Sequence, residues 1–426
     1  MVLIDTHGGA RQQVELDRSV PALLLKLGSY PLHHGGVGVV RSLGRCGVDV
    51  YAVTEGRFTP AACSRHLHGR FSWPTTGSED PAELAEGLHG IAKAIGRRAV
   101  LVPTDDEAAT VVSELGAEAG LADDFLFPRC NDPGLPRRVA SKEGLYRTCT
   151  EHRIPTPRTV FPESLADVED YAATGAFPVV VKSRDPFERH RRPTVRSSTV
   201  VDDPDRLRAM ALEWDDVPSV ILQEYVPRET AEDWVVHAWW PGPGAFDEGT
   251  LFTGVKLRSW PPHAGFTTAG RARWNDDLAR LSERLFDAVG FRGIADLDWR
   301  RDLRDGRYKL VDFNPRVGAQ FRLFEDTAGL DVVRAQHLSL TGRPAPRAPF
   351  PEGRGFVVED FDYAARVAYR GDRTDGPAPD GRAPSTEHGW FALDDPLPFL
   401  PMLVGRATPV LRRFTRTWVP RARRPR

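Results

Sequence analysis

The segment from Gly293 to Arg316 constrains the fold more than any other part of the sequence. Two strand-like stretches flank an Asp305-Gly306 turn signal, which predicts a β-hairpin. A three-residue loop that ends with a left-handed Gly306 would pair Leu303 with Arg307. This pairing sets the register of every residue pair further along the hairpin.

In that register Asp298 lies opposite Asp312, and Asp296 lies opposite Asn314. Side chains alternate between the faces of a strand, so these four polar groups share one face. The other face is apolar and carries Leu297, Trp299, Val311 and Phe313. Directly opposed carboxylates repel unless positive charge lies between them, and an all-oxygen set suits Mg²⁺. A solvent-exposed face with hydrated carboxylates is the alternative.

The composition excludes several classes of protein. A chain of 426 residues predicts two or three lobes, and 41% hydrophobic with 27% charged residues is typical of a globular protein. The apolar run from Val20 to Leu27 is interrupted by Pro21 and Lys26, is too short to cross a bilayer and lacks the layout of a signal peptide. The four cysteines are widely spaced, which favours neither a zinc site nor a disulfide framework and indicates the cytoplasm.

The first 128 residues alternate between strand and helix patterns, which predicts a Rossmann-like α/β lobe with a parallel sheet. The predicted order is a strand 22–27, a glycine turn at Gly35, Gly36 and Gly38, a helix 39–46, a strand 48–54, a helix 81–95 and a strand 99–103. The glycines alone are weak evidence for a site, because glycines also serve helix packing. With His33, His34 and residues 104–107 they form a candidate edge of a substrate pocket.

Residues 129–345 follow a different pattern, with a lobe boundary near residue 224. Ser141 is placed to cap a helix that reaches about His152. Strands are predicted at 178–183, 197–202, 219–225, 234–240 and 250–258, and helices at 204–214, 276–289 and 330–340. Prolines cluster beyond Thr341, so residues 346–426 are predicted to form a linker and a C-terminal extension.

The stretches 293–299 and 309–316 resemble the metal-binding hairpin of ATP-grasp ligases, of the carboxylate-amine ligase type. The resemblance covers about residues 141–342, and the first lobe more loosely. It implies two α+β lobes that clasp ATP behind an N-terminal α/β lobe. It further implies that Asp298, Asp312 and Asn314 hold Mg²⁺ on the ATP phosphates and that Arg316 faces the reacting phosphoryl group. Both acids are more often glutamate in the wider family, and aspartate has a shorter reach.

The same resemblance assigns nucleotide contacts. Lys142 and Lys182 match lysines that reach the phosphates, and Lys256 and Arg258 match a basic pair near the γ-phosphate. The linker Gln223, Glu224, Tyr225 and Val226 would read the adenine, and Asp233 is preferred over Glu229 and Glu232 as the acid that binds ribose. Exposed basic residues at strand ends are common, so a purely structural role is the alternative for the four cations.

These residues predict an ATP-dependent carboxylate-amine ligase that uses ATP and Mg²⁺, or Mn²⁺, and proceeds through an acyl phosphate with release of ADP. The expected partners are small-molecule carboxylates and amines such as amino acids or peptides, and not nucleic acid. A homodimer is one open alternative for the assembly. The rival functions are the same fold with a thiol acceptor, carboxylation or phosphorylation, and a nucleotide-binding module without turnover.

Two arginine-rich segments stand apart. The loop after Lys182 has no glycine before Val201, so a lid there would act through side chains such as Arg189, Arg191 and Arg192 on phosphates or an acidic co-substrate. The alternative is a mobile basic loop. Residues 401–426 contain eight arginines and no acid, after an apolar stretch that begins at Trp390. Membrane-surface contact is less favoured there than packing of the apolar part onto the enzyme.

Overall fold

The computed structural model describes residues 14–118, 120–184, 195, 198–245, 247–262, 265–369 and 384–406. These residues form three β-sheets with helices packed against them. Within these ranges, every helix is too short or too polar to span a bilayer. The four cysteines are free thiols, as expected from their spacing.

The first sheet has five parallel strands in the order β3-β2-β1-β4-β5, which confirms the predicted parallel α/β lobe. Its central strand is fully buried. The predicted helix 81–95 and strand 99–103 have the bounds found in the structure. The elements are β1 (Ala22–Leu25), α1 (His34–Gly44), β2 (Val50–Thr54), β3 (Gly69–Ser72), α2 (Pro81–Ile95), β4 (Ala99–Pro103), α3 (Asp106–Glu118), α4 (Leu121–Asp124) and β5 (Phe125–Leu126).

The predicted glycine turn is wrong, because Gly35, Gly36 and Gly38 lie in the first turns of helix α1. A Cβ atom at Gly35 would lie 2.9 Å from the Cα of Ala319, and one at Gly38 would lie 2.9 Å from the Phe321 ring. Glycine is needed here because the helix packs directly on the backbone that follows the hairpin. The glycines therefore mark a close contact between two lobes.

The second sheet has four antiparallel strands in the order β6-β9-β7-β8. As predicted, the Ser141 side chain accepts a hydrogen bond from the Gly144 amide and caps helix α6. A further short helix, at residues 135–140, precedes the capped one. The elements are α5 (Leu135–Ala140), α6 (Lys142–Glu151), β6 (Thr159–Val160), α7 (Leu165–Thr174), β7 (Val179–Ser183), β8 (Thr199–Val201), α8 (Pro204–Ala211) and β9 (Val220–Glu224).

The third sheet has seven strands in the order β14-β13-β10-β11-β12-β15-β16. All its pairs are antiparallel except β15 with β16. One face packs on an aromatic core that includes Trp234, Trp299, Phe286 and Phe313. The elements are β10 (Ala231–Trp240), β11 (Thr250–Trp260), β12 (Phe266–Ala272), α9 (Asp276–Val289), β13 (Gly293–Asp302), β14 (Arg307–Asn314), α10 (Val332–Leu340), β15 (Gly355–Val357), α11 (Glu359–Tyr369) and β16 (Thr386–His388).

The hairpin of β13 and β14 confirms the predicted pairing of Asp298 with Asp312, and of Asp296 with Asn314. The pairing at the turn is wrong, because Arg307 faces Asp302 and the loop has four residues. A bulge at Val311 absorbs the difference of one residue. Leu310 therefore takes the core position opposite Trp299 that had been assigned to Val311.

The described residues after Thr341 contain more regular structure than the predicted linker. Strand β15 pairs with β12 and extends the third sheet, and α11 packs beside it. Residues 399–406 are helical, and the preceding Trp390 is fully buried. The buried Arg41 of α1 pairs with the buried Asp395, so this segment packs on the first lobe as well. The basic tail after residue 406 lies outside the described residues.

Candidate active site

The polar face of the hairpin forms the floor of a cleft, and the second sheet with helix α6 forms its roof. Strand alternation places Asp296, Asp298, Arg300 and Asp302 on the floor. Roof and floor meet where Glu224, at the end of β9, lies 3.0 Å from the Lys309 ammonium of β14. The predicted site residues of both sheets therefore face a common space.

Each of the two opposed carboxylates of the floor is paired with a lysine. Lys142 Nζ, at the first residue of α6, lies 2.5 Å from Asp312 Oδ1. Lys256 Nζ, on β11, lies 2.6 Å from Asp298 Oδ1. These lysines, from two different elements, offset the repulsion between the two acids, for which the sequence had favoured a divalent cation.

The charges at this end of the cleft shift one another's pKa. Burial, followed by repulsion from Lys142, lowers the pKa of Lys182 to about 8, although Asp312 partly opposes the shift. Burial raises the pKa of Asp312, but attraction to Lys142, Lys182 and Arg316 outweighs it and leaves that pKa below its ordinary value. The cations and the acids therefore act as one electrostatic group.

Arg316 lies where the first lobe meets the hairpin. Its Nε donates to Asp106 Oδ1 at 3.1 Å, and its Nη2 donates to Asn314 Oδ1 at 3.0 Å. A longer contact of 3.5 Å joins its Nη1 to Asp296 Oδ2. Burial lowers the pKa of Arg316, but the surrounding acids outweigh it, so the guanidinium stays charged. Asp106, at the start of α3, thus links the first lobe to the predicted catalytic arginine.

Asp296 is buried beside this arginine. Its carboxylate accepts a 3.4 Å hydrogen bond from Gln320 and lies 3.2 Å from the ring of the buried His237. The histidine ring is not oriented to form that hydrogen bond. Burial, then repulsion by Asp298, raises the pKa of Asp296 to about 7. A Cβ atom at Gly318 would lie 2.3 Å from both Asp296 and His237, so only glycine fits there.

The predicted nucleotide-binding residues of the second sheet lie on strands β7 and β9 or directly after β9. Lys182 Nζ donates to Gln223 Oε1 at 2.8 Å, and Gln223 in turn donates to Thr159. The backbone amide of Glu224 donates to the carbonyl of Arg158, and its side chain bonds to Lys309 and Arg304. Tyr225 and Val226 follow directly after β9, with Val226 buried.

The three candidate acids for ribose differ in position. Asp233 pairs with Arg300 across the strands and so lies on the floor. Glu232 points to the opposite face, where it contacts Arg301 and the Trp234 indole. Glu229 is exposed in a short turn. The geometry agrees with the preference for Asp233, whose role remains a prediction.

Arg258 departs from the predicted arrangement. Its guanidinium binds the buried Asp362 of α11 through two hydrogen bonds of 2.7 and 3.0 Å. Of the two basic residues on β11, Lys256 contacts Asp298 and Arg258 does not, because the strand carries a bulge between them. The structure therefore places Arg258 with the C-terminal extension and away from the hairpin acids.

Several cleft residues are not among those predicted from sequence. Arg300 and Lys309 on the floor are the examples, and both contact predicted site residues. Asp106 belongs to the run 104–107 that was predicted as a pocket edge, and it contacts Arg316. Alternation along β13 is a signal that would have found Arg300, since it lies two residues after Asp298. The contact of Asp106 joins residues 210 positions apart and has no local signal. The predicted lid arginines Arg189, Arg191 and Arg192 lie outside the described residues.

The predicted metal ligands Asp298, Asp312 and Asn314 are oxygen donors, as Mg²⁺ prefers. Among the described residues no three His, Cys, Asp or Glu side chains form a metal-binding group. The candidate set is instead two carboxylates and the Asn314 amide oxygen on one face, with Asp298 and Asp312 about one third exposed, at 29% and 31%. Three oxygen donors fit a Mg²⁺ ion that completes its shell with phosphate and water.

Comparisons with known proteins agree with this architecture. No family model matches the sequence. A D-aspartate ligase of Enterococcus faecium is 21% identical over 248 residues, which cover 56% of this chain and 58% of that protein. The match thus spans under two thirds of that relative.

Two solved structures with a similar fold each match about four fifths of this chain. N5-carboxyaminoimidazole synthetase of Staphylococcus aureus matches with a TM-score of 0.57 and 11% identity over 79% of this chain and 80% of that one. The biotin carboxylase domain of the Hydrogenobacter thermophilus 2-oxoglutarate carboxylase, solved with MgADP, matches with a TM-score of 0.56 and 11% identity over 80% of this chain and 74% of that one. The hairpin, the two facing sheets and these likenesses together show the ATP-grasp fold that the sequence predicted.

Proposed function

We propose that this protein is an ATP-dependent ligase that joins a carboxylate to an amine and releases ADP and phosphate. One observation carries the proposal. Three lysines and Arg316, from four separate segments, surround the two opposed aspartates of the hairpin. Phosphoryl transfer depends mainly on such positioning and neutralisation of charge.

The cleft divides into a base end and a phosphate end. At the base end, residues 223–226 would bind the adenine and Asp233 the ribose. At the phosphate end, Lys142, Lys182 and Lys256 would neutralise the phosphate oxygens. Asp298, Asp312 and Asn314 would hold Mg²⁺, which supplies further positive charge to the triphosphate when bound. Arg258 is left out of this assignment because of its contact with Asp362.

The reaction has two transfers. A carboxylate oxygen of the first substrate attacks the γ-phosphorus, the bond to the bridging oxygen breaks, and ADP leaves. The amine nitrogen then attacks the acyl carbon, phosphate leaves, and the amine loses a proton. Arg316 would stabilise negative charge on the transferred group, because a guanidinium binds paired oxygens. Asp106 and Asn314 hold it in position.

The choice of substrates to test rests on the similarity to the D-aspartate ligase and not on the geometry of the cleft. The match to a D-aspartate ligase supports an amino acid as one substrate, and D-aspartate is the first carboxylate to test. Incubation with ATP, Mg²⁺, candidate amino acids and hydroxylamine should yield ADP and a hydroxamate. Formation of AMP and pyrophosphate would contradict the acyl phosphate. ADP release that requires bicarbonate and gives no hydroxamate would favour carboxylation instead.

A further inference from the structure

Arg300 occupies an unexpected place on the floor of the cleft. It lies on β13 between Asp298 and Asp302 and shares their face. Its cross-strand neighbours are Asp233 on β10 and Lys309 on β14. It therefore sits between the predicted ribose acid and the predicted metal ligands.

The contacts of this arginine leave part of its guanidinium unused. Nη1 lies 3.2 Å from Asp233 Oδ1, and the side chain is only 16% exposed. Its Nε is buried and has no hydrogen-bond partner among the described residues. A buried donor without a partner is costly, so a ligand that accepts from it would be favoured.

Arg300 also belongs to the cation group at the phosphate end. Its charge contributes, with burial and Lys142, to the lowered pKa of Lys182 on the roof. Like charges this close repel one another and are disfavoured unless an anion lies among them. The acids Asp298 and Asp312 are already contacted by Lys256 and Lys142.

The neighbouring Arg301 shows what a structural arginine looks like on this strand. It points to the opposite face, pairs with Glu232 and lies over the Tyr308 ring at 5.5 Å. Its Nε also lacks a hydrogen-bond partner among the described residues, so the face and the neighbours distinguish the two arginines and the free Nε does not. Its side chain is 38% exposed, against 16% for Arg300. The two residues are chemically identical, adjacent and on opposite faces, which makes Arg301 a matched control.

We propose that Arg300 is a further nucleotide-binding residue, whose guanidinium holds Asp233 toward the ribose and donates to the α-phosphate of a nucleoside di- or triphosphate. This inference rests on the proposed function only in requiring that the cleft binds nucleotide. The guanidinium suits the task because its fan of donors can serve a carboxylate and a phosphate at once.

The test compares Arg300→Met with Arg301→Met by isothermal titration with ADP and with adenosine. Arg300→Met should weaken ADP binding at least about tenfold, the loss expected for a hydrogen bond between charged groups. Adenosine binding should weaken less, because it lacks the phosphate. Arg301→Met should bind both ligands as the unchanged protein does. Thermal unfolding of both variants would establish that each is folded.

The outcomes separate the inference from the proposed function. If the unchanged protein binds ADP and folded Arg300→Met binds it equally well, the inference is wrong. Equal weakening for ADP and adenosine would also overturn it, since the phosphate contact would be absent. If methionine prevents folding, Arg300→Lys replaces it and should still weaken ADP binding measurably, because lysine cannot bridge both partners. A protein that binds no ADP at all would instead contradict the proposed function.

Discussion

The substitution Asp395→Ala should destabilise the protein far more than Asp394→Ala, although the two residues are adjacent. Asp395 is fully buried and accepts hydrogen bonds from Arg41 at 2.9 Å, from Ser64 at 2.7 Å and from the Arg65 amide at 2.9 Å. Removing it leaves a buried guanidinium without its counter-charge, which costs about 3–5 kcal/mol.

Asp394 provides the matched control. It pairs with Arg45 at 2.7 Å, but it is 47% exposed, and water can replace the lost contact. An exposed ion pair contributes about 0.2–1 kcal/mol. The predicted difference between the two variants is therefore at least about 2 kcal/mol of unfolding free energy.

Urea unfolding followed by tryptophan fluorescence would measure both variants against the unchanged protein. Trp390 is buried in the same segment, and its carbonyl accepts from Arg41, so its emission should report local release as well as global unfolding. Limited proteolysis would identify a locally released C-terminal segment. Equal stability of the two variants would refute the claim that this segment is fixed to the first lobe by the buried pair.

Three further predictions concern the cleft. Asp312→Asn should lower kcat/KM for Mg²⁺-dependent ADP release about a hundredfold or more, with partial recovery at high Mg²⁺, and an unchanged Mg²⁺ dependence would exclude Asp312 as a ligand. The charged form of Lys182 should bind nucleotide better, so ADP affinity should fall as the pH rises through about 8, whereas Lys182→Arg should remove this dependence in titrations from about pH 7 to about pH 9. Gly318→Ala should cost about 1–3 kcal/mol in chemical denaturation, because its Cβ would lie 2.3 Å from Asp296 and His237. Gly90→Ala, in open space on helix α2, is the control and should be neutral or stabilising.

The hairpin could be predicted well from the sequence because its signals are local. The Asp305-Gly306 turn located the hairpin, and the pairing of Asp298 with Asp312 was correct because the bulge at Val311 offset the one-residue error at the turn. The bulge at Val311 was missed, because a bulge is set by the fit between a turn and the sheet beyond it, and no residue type marks it here.

Other parts of the site depend on contacts that no local pattern encodes. Asp362 lies 104 residues after Arg258 and removes it from the predicted phosphate pair. The glycines of α1 were interpreted as a turn. Glycine is needed there because the helix packs closely on Ala319 and Phe321, and this contact between lobes has no local signal in the sequence. Side-chain charge alone could not distinguish Arg300 from Arg301, but their faces could have been assigned by counting along the strand.

The pairing of β15 with β12 affects how the chain folds during synthesis. Until residues 355–357 have been synthesised, β12 presents an open row of backbone donors and acceptors, which other chains can join. During synthesis the central strands of the sheet can therefore form while one edge strand is still unpaired and prone to aggregation. Chains that stall or are cut before that point should accumulate as aggregates, whereas completed chains should not.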